Sequence, residues 1–224
     1  MEYCTVKDLE KLENLKIIKN CTTAEKERLS NEVFPRMPKP PSWVKETIDG
    51  QPVIIVSCTD EMVEFALDLG NFINKAAKVR KLKEYLTSNP EWRRCGFMGQ
   101  FAVELYFSGD WTAALERIPL GKADSGDMKL ANFIINIITR AQLFEGEDDA
   151  IIDKKRFKRK PYPLYIACSR AEDKVIIWGY ARWDEVKHWN TKSYDDRPEA
   201  YSQNVNALHP IEELKELIPV SLSQ

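Results

Sequence analysis

Three stretches of this chain hold residues whose types and spacing could do chemistry. The first runs from "GKADSGD" (121–127) into "FIINIITR" (133–140), so that Asp124 and Asp127 precede an apolar run with Asn136 near its centre. Such a run should turn its middle toward a core. A polar amide there marks a core strand with one exception, an active site, or an active site stripped of its groups. The second stretch is "DKKRFKRK" (153–160), where Lys154, Lys155, Arg156, Lys158, Arg159 and Lys160 surround Phe157. A basic run with an aromatic can grip phosphates and stack a base. It is equally readable as a solvated loop, neutralised by the acidic "EGEDDAIID" (145–153) that precedes it. The third is the aromatic crowd Trp178, Tyr180, Trp183, Trp189, Tyr194 and Tyr201. Aromatics at this density read as core or partner interface before they read as a base-stacking platform. His188 and His209, the only histidines, have no second histidine or cysteine at metal-ligand spacing. No nucleophile elbow, P-loop or dinucleotide fingerprint is present.

The elements that must position these residues follow from periodicity. Residues 6–16 and 23–33 carry sparse helical patterns, the second opened by a Thr22/Glu25 capping box, and "FPRMPKPPS" (34–42) reads as a linker or surface strap. Val44–Ile48, the turn Asp49-Gly50 and "PVIIVSC" (52–58) predict a hairpin, with Pro52 at an edge or imperfect pairing. Apolar residues from Met62 to Ala76 recur at helical spacing through about residue 87, with Lys75, Lys78, Arg80, Lys81 and Lys83 forming a solvated or phosphate-facing stripe. "GFMGQFAVELYF" (96–107) predicts a second amphipathic helix opened by two glycines. Strands are expected at 128–131, 133–140, 163–169 and 174–181, short helices at 183–189 and 210–218, and an extended segment at 200–208. This order predicts an α/β body with a mixed central sheet flanked by helices. The expected division is a helical, proline-rich extension over 1–43 and a domain over 44–224.

Composition sets the outer bounds. The 224 residues, 43% hydrophobic and 30% charged, suffice for one sizeable core, and a net charge of −2 confines any nucleic-acid contact to a local patch. Five cysteines at wide spacing read as reduced thiols, and no run reaches membrane-spanning length. The expectation is a soluble, cytoplasmic protein without a membrane role, open to a protein partner or to homo-oligomer formation.

In order and spacing, "GFMGQFAVELYF", "DSGDMKLANFIINIITR", "YPLYIACSRAEDKVIIWGYARWDEV" and "AYSQNVNALHPIEEL" resemble the PD-(D/E)XK nuclease-like superfamily, in the form common among phage and bacterial proteins. The resemblance covers about residues 94–218 and implies a restriction-endonuclease-like core. It implies a magnesium site, since phosphodiester hydrolysis uses a divalent ion to polarise the phosphate and activate water. Carried over by position, Asp127 matches the metal-binding aspartate, Asn136 stands at the second carboxylate, Ile138 at the lysine and Gln100 at the helix glutamate; the carbonyl of Ile137 is a further ligand position. Three of the four functional positions therefore lack their charge, and magnesium would be held weakly. The resemblance thus implies a degenerate nuclease fold, a pseudoenzyme that binds nucleic acid or a partner. An alternative keeps hydrolysis through relocated groups. Glu104, one helical turn after Gln100, would replace the glutamate, and Lys122, Lys129 or Arg140 the lysine; Glu104 is otherwise expected on the exposed polar edge of its helix. A purely structural role is the third reading.

Overall fold

The computed structural model describes residues 42–79, 90–117, 128–130, 133–141, 149–194 and 197–217. The expected helices at 6–16 and 23–33, the proline strap and the stripe beyond Val79 lie outside the described residues. The chain forms a three-layer α/β body. A mixed six-stranded sheet carries helices on one face and a second, three-stranded sheet on the other.

The predicted hairpin opens the first sheet. Strand β1 (Trp43–Ile48) pairs antiparallel with β2 (Gln51–Ser57), and Asp49 and Gly50 turn the chain with φ of 50° and 84°. Two positive φ values are what a two-residue primed turn requires, and the Asp-Gly pair supplies them at little steric cost. Pro52 pairs in register with Thr47, while β2 meets its second neighbour, β7 (Lys174–Arg182), only from Ile54 onward. The missing proline N–H therefore breaks no ladder on the β7 side. Helix α1 (Asp60–Val79) starts where the sequence period changes, and the Met62 amide donates to the Thr59 hydroxyl at 3.3 Å as an N-cap bond.

Helix α2 (Pro90–Ser108) begins earlier than its glycines suggest, with proline at its first position, where the lost N–H has no intrahelical partner anyway. Gly96 and Gly99 lie inside it. A Cβ at Gly99 would overlap the Thr139 side chain, so this glycine lets the helix lie close against the sheet. A 3₁₀ segment, Trp111–Arg117, follows and buries Trp111 beneath Phe65 and Phe101.

Strands β3 (Met128–Leu130) and β4 (Phe133–Ala141) form an antiparallel pair, and β4 runs parallel to β6 (Leu164–Ala171). β6 and β7 form the second predicted hairpin, turned at Glu172-Asp173, with Glu172 at φ 53°. The strand order is β1-β2-β7-β6-β4-β3, so β4 and β6 make the sheet's one parallel step.

Strands β5 (Asp149–Asp153), β8 (Asn190–Tyr194) and β9 (Arg197–Asn204) form the second sheet in the order β5-β9-β8. Helix α3 (Lys154–Arg159) packs beside it, and α4 (Trp183–Val186) follows β7 and packs against that strand. β9 ends in a 3₁₀ turn, Val205–Ala207, and α5 (Ile211–Leu217) returns to the helical face. Periodicity did not reveal β5, α3 or β8. Each is five or six residues long, rich in charged or polar side chains, and held by tertiary packing rather than by propensity.

Two cores result. Ile54, Ile135, Ile137, Ile166 and Ile177 pack against Met62, Phe101, Trp111 and Leu214 on the helical side. Val53, Tyr165, Ala167 and Trp178 pack against Ile152, Phe157, Tyr201 and Leu208 between the sheets. A bulge on β7 redistributes its side chains. Ala167 pairs with Gly179 but Cys168 with Ile177, so Trp178 is the extra residue, and Tyr180 then joins the helical core. A Cβ at Gly179 would collide with the His209 carbonyl oxygen, which accepts from the Tyr180 amide at 2.9 Å.

Candidate functional site

The β4 strand is buried at its centre and exposed at its start, where Phe133 and Ile134 are both solvent-accessible. Alternation sends Ile135 and Ile137 to the helical core and Asn136 with Ile138 to the opposite face. Positions 136 and 138 therefore share a face, as the family pattern requires of its carboxylate and lysine. That face is filled. Asn136 is 5% exposed and pairs in register with Tyr165, while Ile138 packs against the core between the sheets. Thr139 lies on the helical side against Gly99, its hydroxyl buried without a hydrogen-bond partner.

The two helix candidates lie on α2, one turn apart. Gln100 is half-buried, and Glu104 is 2% exposed, which overturns its expected place on the helix's exposed edge. The cause is the helix's position, walled by α1, the 3₁₀ segment and the sheet, which leaves its central turns no solvent side. Asp124, Asp127 and Lys122 lie outside the described residues. Lys129 is the middle residue of β3, paired with Ile134, and Arg140 donates from Nη1 to the Asp149 carbonyl at 3.0 Å. Arg140 thus lies on the same face of β4 as Asn136 and Ile138, where it ties β4 to β5 of the second sheet.

A magnesium ion needs several hard oxygen donors converging on one point. Among the described residues no three acidic, histidine or cysteine side chains gather in that way. The described residues do not by themselves make the metal centre.

The basic run is a helix, not a loop. Asp153 caps it, its carboxylate accepting from the Arg156 amide at 2.6 Å, and Lys160 closes it by donating its amide to the Arg156 carbonyl at 3.0 Å. Cations in its last turn suit the helix dipole. Phe157 does not face solvent. It is 7% exposed, with ring centroids 5.8 Å from Tyr165 and 5.2 Å from Tyr201, so it anchors the helix and is not available to stack a base. Lys154 pairs with Glu199 at 2.8 Å, whereas Lys155, Arg156, Lys158, Arg159 and Lys160 are exposed.

The two acids of the preceding run that lie among the described residues have partners of their own. Asp153 is used as the cap, and Asp149 accepts from Lys192 and, at 2.8 Å, from Ser202. Partial burial pushes the Asp149 carboxyl up, but Lys192 and Ser202 outweigh it and hold the group below its ordinary 3.8.

Sequence reading also missed a cluster around His209. Its Nε2 lies 2.7 Å from Glu185 Oε1 and its Nδ1 3.8 Å from Glu213, and its ring leans over Tyr180 at 5.1 Å. Glu185 also accepts from the Arg182 amide at 2.8 Å, capping α4. The partners are 24 and 4 residues from His209. Only the second spacing carries a local signal, the i,i+4 pair at the start of α5.

Of the aromatic crowd, Trp178, Tyr180 and Tyr201 are buried as the core reading expects, while Trp183 is 46% exposed. Cys58, Cys95 and Cys168 are buried and in no disulfide among the described residues, and burial pushes the Cys58 thiol up to about 12. Among the described residues no helix is long and apolar enough to cross a membrane. No protein-family model, no curated protein and no solved structure matches the chain.

Proposed function

We propose that this is a degenerate PD-(D/E)XK-like protein, with a restriction-endonuclease-like core, that binds nucleic acid through the exposed face of α3 and does not cut it. One contrast carries the reading: the face bearing Asn136 and Ile138 is filled by core packing, while five cations of the α3 segment stand in solvent. A strand whose polar positions have been absorbed into a core serves as scaffold. A rigidly anchored row of cations on a body of net charge −2 is a local electrostatic footprint for a polyanion.

The second reading, a divergent magnesium-dependent nuclease, draws on one observation. Glu104 is a buried carboxylate on the helix that also bears Gln100, and buried carboxylates mark functional positions more often than exposed ones do. One experiment separates the two. Labelled single- and double-stranded DNA and RNA are incubated with magnesium or manganese, and binding is titrated in EDTA. The expected result is binding in EDTA that weakens in a Lys155→Glu/Lys158→Glu/Arg159→Glu variant, with no cleavage product. Cleavage lost in Glu104→Gln would establish the second reading, and absence of both binding and cleavage would leave a protein partner or self-association.

A further inference from the structure

Trp183 is the one tryptophan of the C-terminal third that the fold leaves in solvent, at 46% exposure; Trp178 is buried and Trp189 half-buried. It opens α4, and its backbone amide donates to the Pro163 carbonyl at 3.1 Å. That bond sets the start of α4 beside the segment leaving α3, where Lys160 lies over the Tyr162 ring at 5.3 Å and Pro161 and Pro163 are exposed. From the other side, the Lys187 ammonium stands 5.1 Å from the indole centroid. The segment leaving the basic end of α3 and the start of α4, with its exposed tryptophan and a further lysine, are thus neighbours. Asp184, also exposed, is the acid next to it in the chain.

Among the described residues the two cores do not include this ring, and its one ring contact there is Lys187. An indole left open between phosphate-binding cations has the composition of a base-stacking platform: the cations hold the backbone, and the flat apolar face takes an unpaired base. Bases inside a duplex are stacked on each other and cannot reach such a ring, whereas those of a single strand can.

We infer that the α3–α4 surface is a single-strand binding path in which Trp183 stacks a base while Lys187 and the cations of 155–160 contact phosphates. The inference rests on the nucleic-acid reading above and narrows it to unpaired strands. The surface also gives the aromatic that Phe157, turned into the core, cannot provide.

The test titrates fluorescently labelled single-stranded oligo-dT and a duplex of equal length in EDTA, reading anisotropy, against wild type, Trp183→Ala, Trp183→Phe and Lys187→Ala. The expected result is tighter single-strand than duplex binding. Trp183→Ala should weaken the single strand roughly tenfold, Trp183→Phe should restore most of that, and the duplex should be unaffected, in line with the stacking energy of one base. Partial quenching of wild-type tryptophan emission by the single strand, absent in Trp183→Phe, is the spectroscopic counterpart. Binding that is equal for both forms, or unchanged in Trp183→Ala, overturns the stacking path while leaving nucleic-acid binding in place. Absence of binding to either form overturns both. Because Trp183 is exposed, the variants should keep wild-type unfolding midpoints; an alanine variant that unfolds early would make Trp183 structural and overturn the assignment.

Discussion

Glu185 uses both carboxylate oxygens, one toward the His209 ring and one on the Arg182 amide. Partial burial pushes its carboxyl up; the Arg182 amide and His209 outweigh this and hold it below the ordinary 4.5. A carboxylate lowered in the folded state contributes stability that is complete above its unfolded value and lost as the pH falls through the folded one. Stability should therefore be flat in this respect above about pH 5 and should decline below it, with Asp149 adding a decline of the same sign. For a pair as exposed as Glu185 and His209 the contribution is about 1 kcal/mol or less. Urea denaturation of wild type and Glu185→Gln across that range measures it: the variant should be the less stable at neutral pH, and the gap should close in acid. Curves that stay parallel would show that the carboxylate does no work. None of this is legible at the residue level of the sequence, because His209 meets Glu185 across 24 residues that include β8 and β9 and not along one element.

At the scale of elements, α3 is the instructive case. Six residues, five of them cationic, cannot hold a helix alone. The cap from Asp153 and the burial of Phe157 between Tyr165 and Tyr201 do so. Phe157→Ala should cost about 3 kcal/mol of unfolding free energy. It should also weaken oligonucleotide binding, because the cations lose their rigid mount. Lys155→Ala and Lys158→Ala, by contrast, should weaken binding with little effect on stability. Paired denaturation and binding titrations distinguish the two classes, and a Phe157→Ala protein with wild-type stability would refute the anchor. The signals for α3 were present in the sequence, an aspartate before the run and a lone aromatic inside it. They were outweighed by a composition that usually belongs to solvated loops. The opposite error occurred in α2, where interior glycines were taken as the start of the helix. Gly99 is there because Thr139 lies against it, a contact between positions 40 residues apart.

For the whole molecule, the net charge of −2 and the five exposed cations grouped over 155–160 make binding a local electrostatic event. If three to five cations meet phosphates, log affinity for a single strand should fall against log salt with a slope of about −2 to −3.5. A slope near zero would remove α3 from the interface. The charge-reversed triple variant should flatten the slope.

What the amino-acid sequence determined by itself is what local periodicity and turn chemistry can encode. Alternation and the Asp-Gly turn made the β1–β2 hairpin, the short polar turn made the β6–β7 hairpin, and β-branched residues around Asn136 made β4 a strand buried at its centre. The sequence also carried the departure of 136 and 138 from an acid and a lysine, since residue types do not depend on the fold. Tertiary structure alone decided where those elements face. It placed β6 parallel beside β4, covered the Asn136 face with a second sheet built from weak strands, closed α2 around Glu104, turned Phe157 inward and left Trp183 outside. The physical reason is common to all five. Burial energy depends on which surfaces meet across long chain separations, and a window of neighbouring residues holds no record of that.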